Sequence, residues 1–322
     1  MVISSIYIIQ KYSGANNFGN IRNTITSLFI PFIIHYPNFV KNKGNTAMFT
    51  LNCKGRLLVI DQPIVMGIIN ITPDSFYKGS RTESTDDILR LAEKMLKEGA
   101  TILDIGGQST RPGSKDLPID EELTRVLPAI EAIVKRFPDS FLSIDTYHAA
   151  VAKQAVAAGA TTVNDISSGI LDQAMISTVA SLNVPYISMH MKGTPETMQQ
   201  LAGYENVTLE VLDFFIQKTE ECRQAGIKDV IIDPGFGFAK NIEHNFILLK
   251  KLSIFSMLQK PLLVGLSRKG TIYKTLNTTA ENALNGTTVL NTIALQSGAN
   301  ILRVHDVKEA IEVIKLLTAY KD

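Results

Sequence analysis

Ile102-Leu103-Asp104-Ile105-Gly106-Gly107-Gln108-Ser109-Thr110-Arg111-Pro112-Gly113 runs an apolar strand straight into two glycines, two hydroxyls, an arginine and a proline–glycine stop. Glycines let backbone N–H groups approach an oxyanion closely, the hydroxyls add donors, and the arginine adds a two-pronged cation. At the carboxyl end of a strand that composition suits an anion, phosphate above all. Taken alone it also reads as a decorated turn, so the neighbouring pattern has to decide.

Outward from this stretch, short runs rich in Val and Ile alternate with amphipathic segments. The runs predict buried parallel strands at Val65–Ile69, Thr101–Ile105, Phe141–Ile144, Thr162–Asn164, Pro185–Met189, Val230–Ile232, Leu262–Gly265 and Ile301–Val304. Helical spacing covers Asp86–Glu98, Glu121–Arg136, His148–Ala158, Asp172–Leu182, Val207–Ala225, Glu243–Leu252, Ala280–Ser297 and Val307–Tyr320. Eight strand–helix units in about 260 residues predict an α/β fold of the (β/α)8 TIM-barrel type. A doubly wound sheet is the competitor, but it uses fewer strands and a GxGxxG first turn, which this chain lacks. Leu51–Asp61 predicts a small β-hairpin closing the bottom of the barrel.

Composition narrows the field further. The 322 residues are 45% hydrophobic with a formal charge of +1, enough for a large core and without a bias toward nucleic acid or anionic membranes. Residues 1–47 hold Lys11, Arg22, Lys41 and Lys43 and no Asp or Glu, so the body from Met48 to residue 322 is mildly acidic. The leader reads as upstream read-through with Met48 as the start, as a poorly ordered extension, or as a targeting peptide. Its apolar run Leu28–Ile34 is too short to span a bilayer. Cys53 and Cys222 stand alone, a usage that suits a reduced, cytoplasmic protein rather than a disulfide or zinc scaffold.

In a barrel the loops after the strands converge on one pole. Each polar residue there has an ordinary reading by itself. Asp145 and Asp165 suit helix caps, Lys269 a solvated loop charge, Gly235 and Gly237 turns, and His190 a satisfied core histidine. The joint pattern is not ordinary, because all eight strand ends carry polar groups that sort into two sets. Thr110, Arg111, Arg303 and His305 seek an anion, and Asn70 offers an amide oxygen to a hard cation; a diphosphate on Mg2+ matches that set. Asp145, Asn164, Asp233 and Lys269 face an apolar mouth, and the acids need N–H donors there. A flat heterocycle with amino, ring N–H and ring carbonyl groups would supply them. Together the sets point to a heteroaromatic diphosphate ester.

Asn70-Ile-Thr-Pro-Asp-Ser-Phe76, Gly106-Gly-x-Ser-Thr-Arg-Pro-Gly113, Ser143-Ile-Asp-Thr146, Asp233-Pro-Gly-Phe-Gly-Phe238, Ser267-Arg-Lys-Gly270 and Arg303-x-His305 closely resemble the dihydropteroate synthase family of folate biosynthesis. The blocks keep their order over about residues 50–320. The resemblance implies a transferase that condenses 6-hydroxymethyl-7,8-dihydropterin diphosphate with 4-aminobenzoate by a dissociative mechanism. Asp145, Asn164, Asp233 and Lys269 would then hold the pterin. Thr110, Arg111, Arg303 and His305 would hold the diphosphate, with Mg2+ on Asn70. Phe76, Pro112, Phe238 and Ser267 would shape the 4-aminobenzoate pocket, where sulfonamides compete. By the same resemblance Asp145, Lys269, Arg303, His305 and Arg111 would carry the catalytic roles. The resemblance further implies loops at 71–82 and 107–118 that order over the reactants, and a homodimer through the later helices.

One position departs from the family pattern. Lys78 stands where the first loop usually has Asp, which reads either as a tolerated change near a loop tip or as altered catalysis or product release. Gln108 replaces a frequent Glu. Two other functions use the same barrel. A pterin-dependent methyltransferase shares the Asp and Asn positions but has no need of the Ser-Thr-Arg-Pro-Gly loop or Ser-Arg-Lys-Gly. A catalytically silent pterin-binding paralogue has only Lys78 in its favour.

Overall fold

Two antiparallel strands, β1 (Phe49–Cys53) and β2 (Arg56–Ile60), precede eight parallel ones in the computed structural model, which describes residues 48–71, 81–109, 113–114 and 116–321. The expected leader at 1–47, Phe76, Lys78 and Thr110–Pro112 lie outside the described residues. The parallel strands are β3 (Ile64–Asn70), β4 (Ile102–Gly106), β5 (Phe141–Asp145), β6 (Thr162–Asp165), β7 (Tyr186–Met189), β8 (Val230–Asp233), β9 (Leu263–Val264) and β10 (Ile301–Val304). They pair in the order β8-β7-β6-β5-β4-β3-β10-β9, and a parallel bridge between Ile232 and Leu262 joins the outer two. The expected TIM barrel is therefore present, closed by that bridge.

Strand periodicity sorts the residues into two layers. In β3, Val65 and Ile69 face outward into the layer shared with the helices, while Ile64 and Met66 face the barrel floor. Ile102, Ile187, Ile231, Leu263 and Ile301 join Met66 there, and Leu51, Cys53, Leu58 and Ile60 of the hairpin cover them from below. The hairpin turns through Lys54 and Gly55, both left-handed (φ 57° and 86°), the pair that a two-residue type I′ turn requires. Its position is fixed by the Asn52 N–H donating to Asp229 (2.7 Å) and the Lys54 ammonium to the Val156 carbonyl (2.7 Å). Arg56 adds bonds to the carbonyls of Pro138, Asp139 and Ser140, with its guanidinium 4.4 Å above the Phe141 ring.

Among the described residues the helices are α1 (Arg81–Glu98), α2 (Ile119–Arg136), α3 (Ala149–Ala158), α4 (Met175–Leu182), α5 (Val207–Ala225), α6 (Ile242–Lys250), α7 (Gly270–Thr275), α8 (Leu284–Gln296) and α9 (Val307–Lys321). Eight follow the predicted segments. The short α7 was not anticipated, because six residues are too few to display a helical period. The helix expected from Ala280 starts at Leu284, after this extra turn.

Candidate active site

The inward faces of the strands end in polar groups at one pole. Asp104, in the middle of β4, points the same way as Gly106 and Ile102, and it is completely buried (0% exposed). Its Oδ2 accepts from the Arg303 Nε–H of β10 at 2.6 Å and from the Asn164 amide of β6 at 3.1 Å. The other end of the same guanidinium donates from Nη2 to Asp145 Oδ2 of β5 at 2.5 Å. Four strands far apart in sequence thus meet through one cation, two carboxylates and one amide.

The charges do not cancel. Arg303 faces two buried acids, and Asp104 Oδ1 and Asp145 Oδ1 are both buried with no hydrogen-bond donor among the described residues. Burial pushes the Asp145 carboxyl up, the guanidinium opposes this, and the neighbouring Asp104 and Asp165 charges push it further. Orphaned carboxylate oxygens cost stability unless a ligand supplies N–H groups. Asp165 is different. Its oxygens are satisfied by the N–H groups of Ser167 and Gly169, the Ser167 hydroxyl and the Tyr186 hydroxyl, so it shapes a local turn and not the helix cap its ordinary reading suggested.

The opposite wall is built by the segments after β8 and β9. Asp233 Oδ1 accepts from the Gly235 N–H (2.8 Å), and burial pushes its carboxyl up against the pull of Lys269. Lys269 donates to the Phe236 carbonyl at 2.6 Å and sits 4.7 Å from the centre of the Phe238 ring. Burial draws its ammonium down to about 8, with Arg303 adding to the shift and Asp233 and Asp145 opposing it. Ser267 Oγ lies 3.1 Å from His305 Nδ1 and accepts the His305 backbone N–H. Arg268 turns away, making a two-pronged pair with Asp306 at 2.8 Å and bonds to the carbonyls of Ala280 and Glu281. Only the lysine of the Ser-Arg-Lys-Gly motif contributes its charge to the Phe236–Phe238 wall.

Asn70 ends β3 beside this cluster. A Cβ built on Gly106 would lie 3.5 Å from Asn70 Oδ1 and 3.6 Å from Asp145 Oδ2, so the bare glycine keeps the space between those oxygens open. Among the described residues no three His, Cys, Asp or Glu side chains converge to hold a metal. His190 is buried, its ring centre 4.9 Å from that of Phe214 in an edge-to-face pair, in keeping with a satisfied core histidine. Sequence reasoning missed three residues: Asp104, the Phe236 carbonyl and Lys240. The signal for Asp104 was its charge inside an otherwise apolar buried strand. Lys240 gave none.

Comparison with known proteins gives the same reading. The pterin binding enzyme family model matches residues 66–305. The dihydropteroate synthase of Escherichia coli is 42% identical over 271 residues, covering 84% of this chain and 95% of that protein. The chain belongs to the dihydropteroate synthases. Among solved structures of these synthases, the Yersinia pestis protein with a sulfonamide drug complex superposes with a TM-score of 0.79 at 41% identity, covering 85% of this chain and 99% of that one. The Xanthomonas albilineans protein with 4-aminobenzoic acid gives 0.79 at 38% identity, covering 84% and 98%. The dihydropteroate synthases are pterin-binding transferases of folate biosynthesis, and membership makes this chain an enzyme of that class.

Proposed function

We propose that the chain condenses 6-hydroxymethyl-7,8-dihydropterin diphosphate with 4-aminobenzoate to give 7,8-dihydropteroate and diphosphate. The observation that carries this reading at the site is the Asp104–Arg303–Asp145 cluster, with two acids to one cation and two carboxylate oxygens that lack donors among the described residues. The amino and ring N–H groups of a pterin complete such a set, and its ring carbonyl takes the Lys269 ammonium. Asp145, Asn164, Asp233 and Lys269 hold this ring.

The bond from the pterin's exocyclic methylene to the diphosphate oxygen breaks first, and the electron pair leaves with diphosphate. The remaining cation is delocalised over the ring, where Asp145 and Asp233 favour positive charge. The aryl amine is neutral near pH 7, forms the new C–N bond with its lone pair, and then releases a proton to solvent. No strong base is required. Arg303, Arg111, Thr110 and His305 neutralise and hold the leaving group. Asn70 would hold Mg2+ through its amide oxygen, because the ion needs few protein oxygens beside phosphate and water, and the ion would further neutralise the diphosphate. Phe76, Pro112, Phe238 and Ser267 shape the acceptor pocket.

Product formation from both substrates with Mg2+ tests the reaction, and a chain that binds pterin yet yields neither dihydropteroate nor diphosphate overturns it. Arg303→Ala should lower kcat by about 30- to 1000-fold, the worth of one preorganised charged group (~2–4 kcal/mol). The exposed Val289 and Ile293 of α8 and Leu316 and Tyr320 of α9 support a homodimer through these helices. Buried, unpaired Cys53 and Cys222 support a reducing, cytoplasmic setting. No helix among the described residues is long and apolar enough to cross a membrane. For the domain plan, we favour one barrel domain over 48–322 and a separate leader at 1–47.

A further inference from the structure

Lys240 closes the segment that follows β8, and its side chain is buried although it is a lysine (3% exposed). Its Nζ lies 3.0 Å from the Gly235 carbonyl, 3.0 Å from the Phe238 carbonyl and 3.0 Å from His190 Nδ1, with the His190 carbonyl at 3.4 Å. An ammonium has three donors, and the three nearer acceptors use all of them. With Lys240 donating, Nδ1 of His190 accepts and the ring proton sits on Nε2. Burial, Lys240 and Lys192 hold His190 well below the usual histidine range, so the ring stays neutral and able to accept.

The bonds made by Lys240 go to backbone that serves the site. Between its two carbonyl partners lies Phe236, whose own carbonyl accepts from Lys269, and Phe238 is the ring under the Lys269 ammonium. The segment is pressed hard against the end of β7, since a Cβ on Gly235 (φ +70°) would lie 2.0 Å from the His190 carbonyl. On its other side, Asn245 of α6 accepts the Gly237 N–H at 2.8 Å. Gly235–Phe238 is thus held by Lys240, by Asn245 and, from the mouth, by Lys269. Burial draws the Lys240 ammonium down to about 7, with Asp233 opposing and Lys269 and Lys192 adding to the shift, a cost that a solvated lysine would avoid.

We propose that Lys240 is a positioning residue for the reaction. By holding Gly235, Phe238 and His190 together, it fixes the loop shape that sets the Phe236 carbonyl and the Phe238 ring against the Lys269 ammonium. The inference rests on the reading of Phe238 as a wall of the 4-aminobenzoate pocket and of Lys269 as a pterin contact. Loss of Lys240 lets the loop relax, and the acceptor pocket suffers before Arg303 and His305, to which none of the Lys240 side-chain bonds go.

The test compares steady-state kinetics of Lys240→Met and Asn245→Ala with the parent chain, after circular dichroism has verified each fold. Lys240→Met should raise the KM for 4-aminobenzoate about tenfold or more and lower kcat less than about threefold when both substrates saturate. Asn245→Ala, which releases the same loop from the other side, should give the same split to a smaller degree. A parent chain that makes no dihydropteroate sinks the functional reading itself. With an active parent, an unchanged KM, or a fall in kcat alone, overturns only the role of Lys240. Failure of both variants to fold also overturns it, because the contacts would then determine the fold rather than tune the pocket.

Discussion

Asp104 and Arg303, 199 positions apart, meet at 2.6 Å in the barrel mouth, and the same guanidinium reaches Asp145. Their pairing aims the Arg303 head across the site instead of leaving it to a solvated search. Arg303 is 17% exposed in its side chain and Asp104 is buried, so the pair is well shielded from screening. Asp104→Asn and Arg303→Met should each destabilise the fold, and a double-mutant cycle by urea denaturation should return a coupling of about 1–3 kcal/mol. Strictly additive costs would show that the two groups do not support each other.

The free enzyme's pH profile should be bell-shaped, with limbs set by opposite wall residues. Asp145 is needed as a carboxylate, yet burial and neighbouring acids push it up, so kcat/KM should rise with pH through a limb above the ordinary aspartate range. Lys269 is needed as an ammonium, and burial has drawn it down to about 8, so kcat/KM should fall again above that value. Stability runs the other way for both groups. Where Asp145 keeps its proton longer folded than unfolded, its contribution to stability declines with rising pH. Between about 8 and the ordinary lysine pKa the unfolded chain binds more protons at Lys269, so that contribution grows with pH. Lys269→Arg should remove the alkaline limb of kcat/KM. A limb that persists unchanged in this variant would assign it elsewhere.

Much of this site is legible in the sequence because buried parallel strands read as unbroken apolar runs, and a strand end in a barrel faces the mouth by construction. Phe141–Ile144 was expected and Phe141–Asp145 is observed, so the polar terminus belongs to the strand itself. Asp145, Asn164, Asp233 and Arg303 are therefore placed by their strands alone, and Lys269 by the turn between β9 and α7. Asp104 was harder, since its neighbours make it resemble a core position, and only strand parity puts it on the inner face with Ile102 and Gly106. Lys240 was illegible for a different reason. A lysine after a glycine-rich turn is ordinarily solvated, and only the close approach of Gly235 to His190 encloses it.

Asn70 should govern the metal requirement without greatly altering the fold. Its side chain is an uncharged oxygen donor at the end of β3, and an ion shared with diphosphate needs only one or two such protein ligands. Asn70→Ala should shift the Mg2+ activation curve to about tenfold higher concentration, while thermal unfolding moves little. Activation at unchanged Mg2+ concentration would remove Asn70 from the metal's ligands.

The hairpin below the barrel should separate stability from chemistry. Leu58 is buried with Leu51, Cys53 and Ile60 against Met66, Ile102, Ile187, Ile231, Leu263 and Ile301, the floor formed by the starts of the strands. The reacting groups lie at the other ends of those strands. Leu58→Ala removes buried methyl groups and leaves a cavity beneath a rigid floor, a change worth about 2–4 kcal/mol. The backbone anchors from Asn52, Lys54 and Arg56 survive, so the hairpin should stay docked. Denaturation should therefore show a lower midpoint with an unchanged slope, and kcat at a temperature where the variant is folded should match the parent. A loss of kcat in a fully folded Leu58→Ala would mean that the floor transmits strain up the strands to Asp104 and Asp145, and that the two poles are not energetically independent.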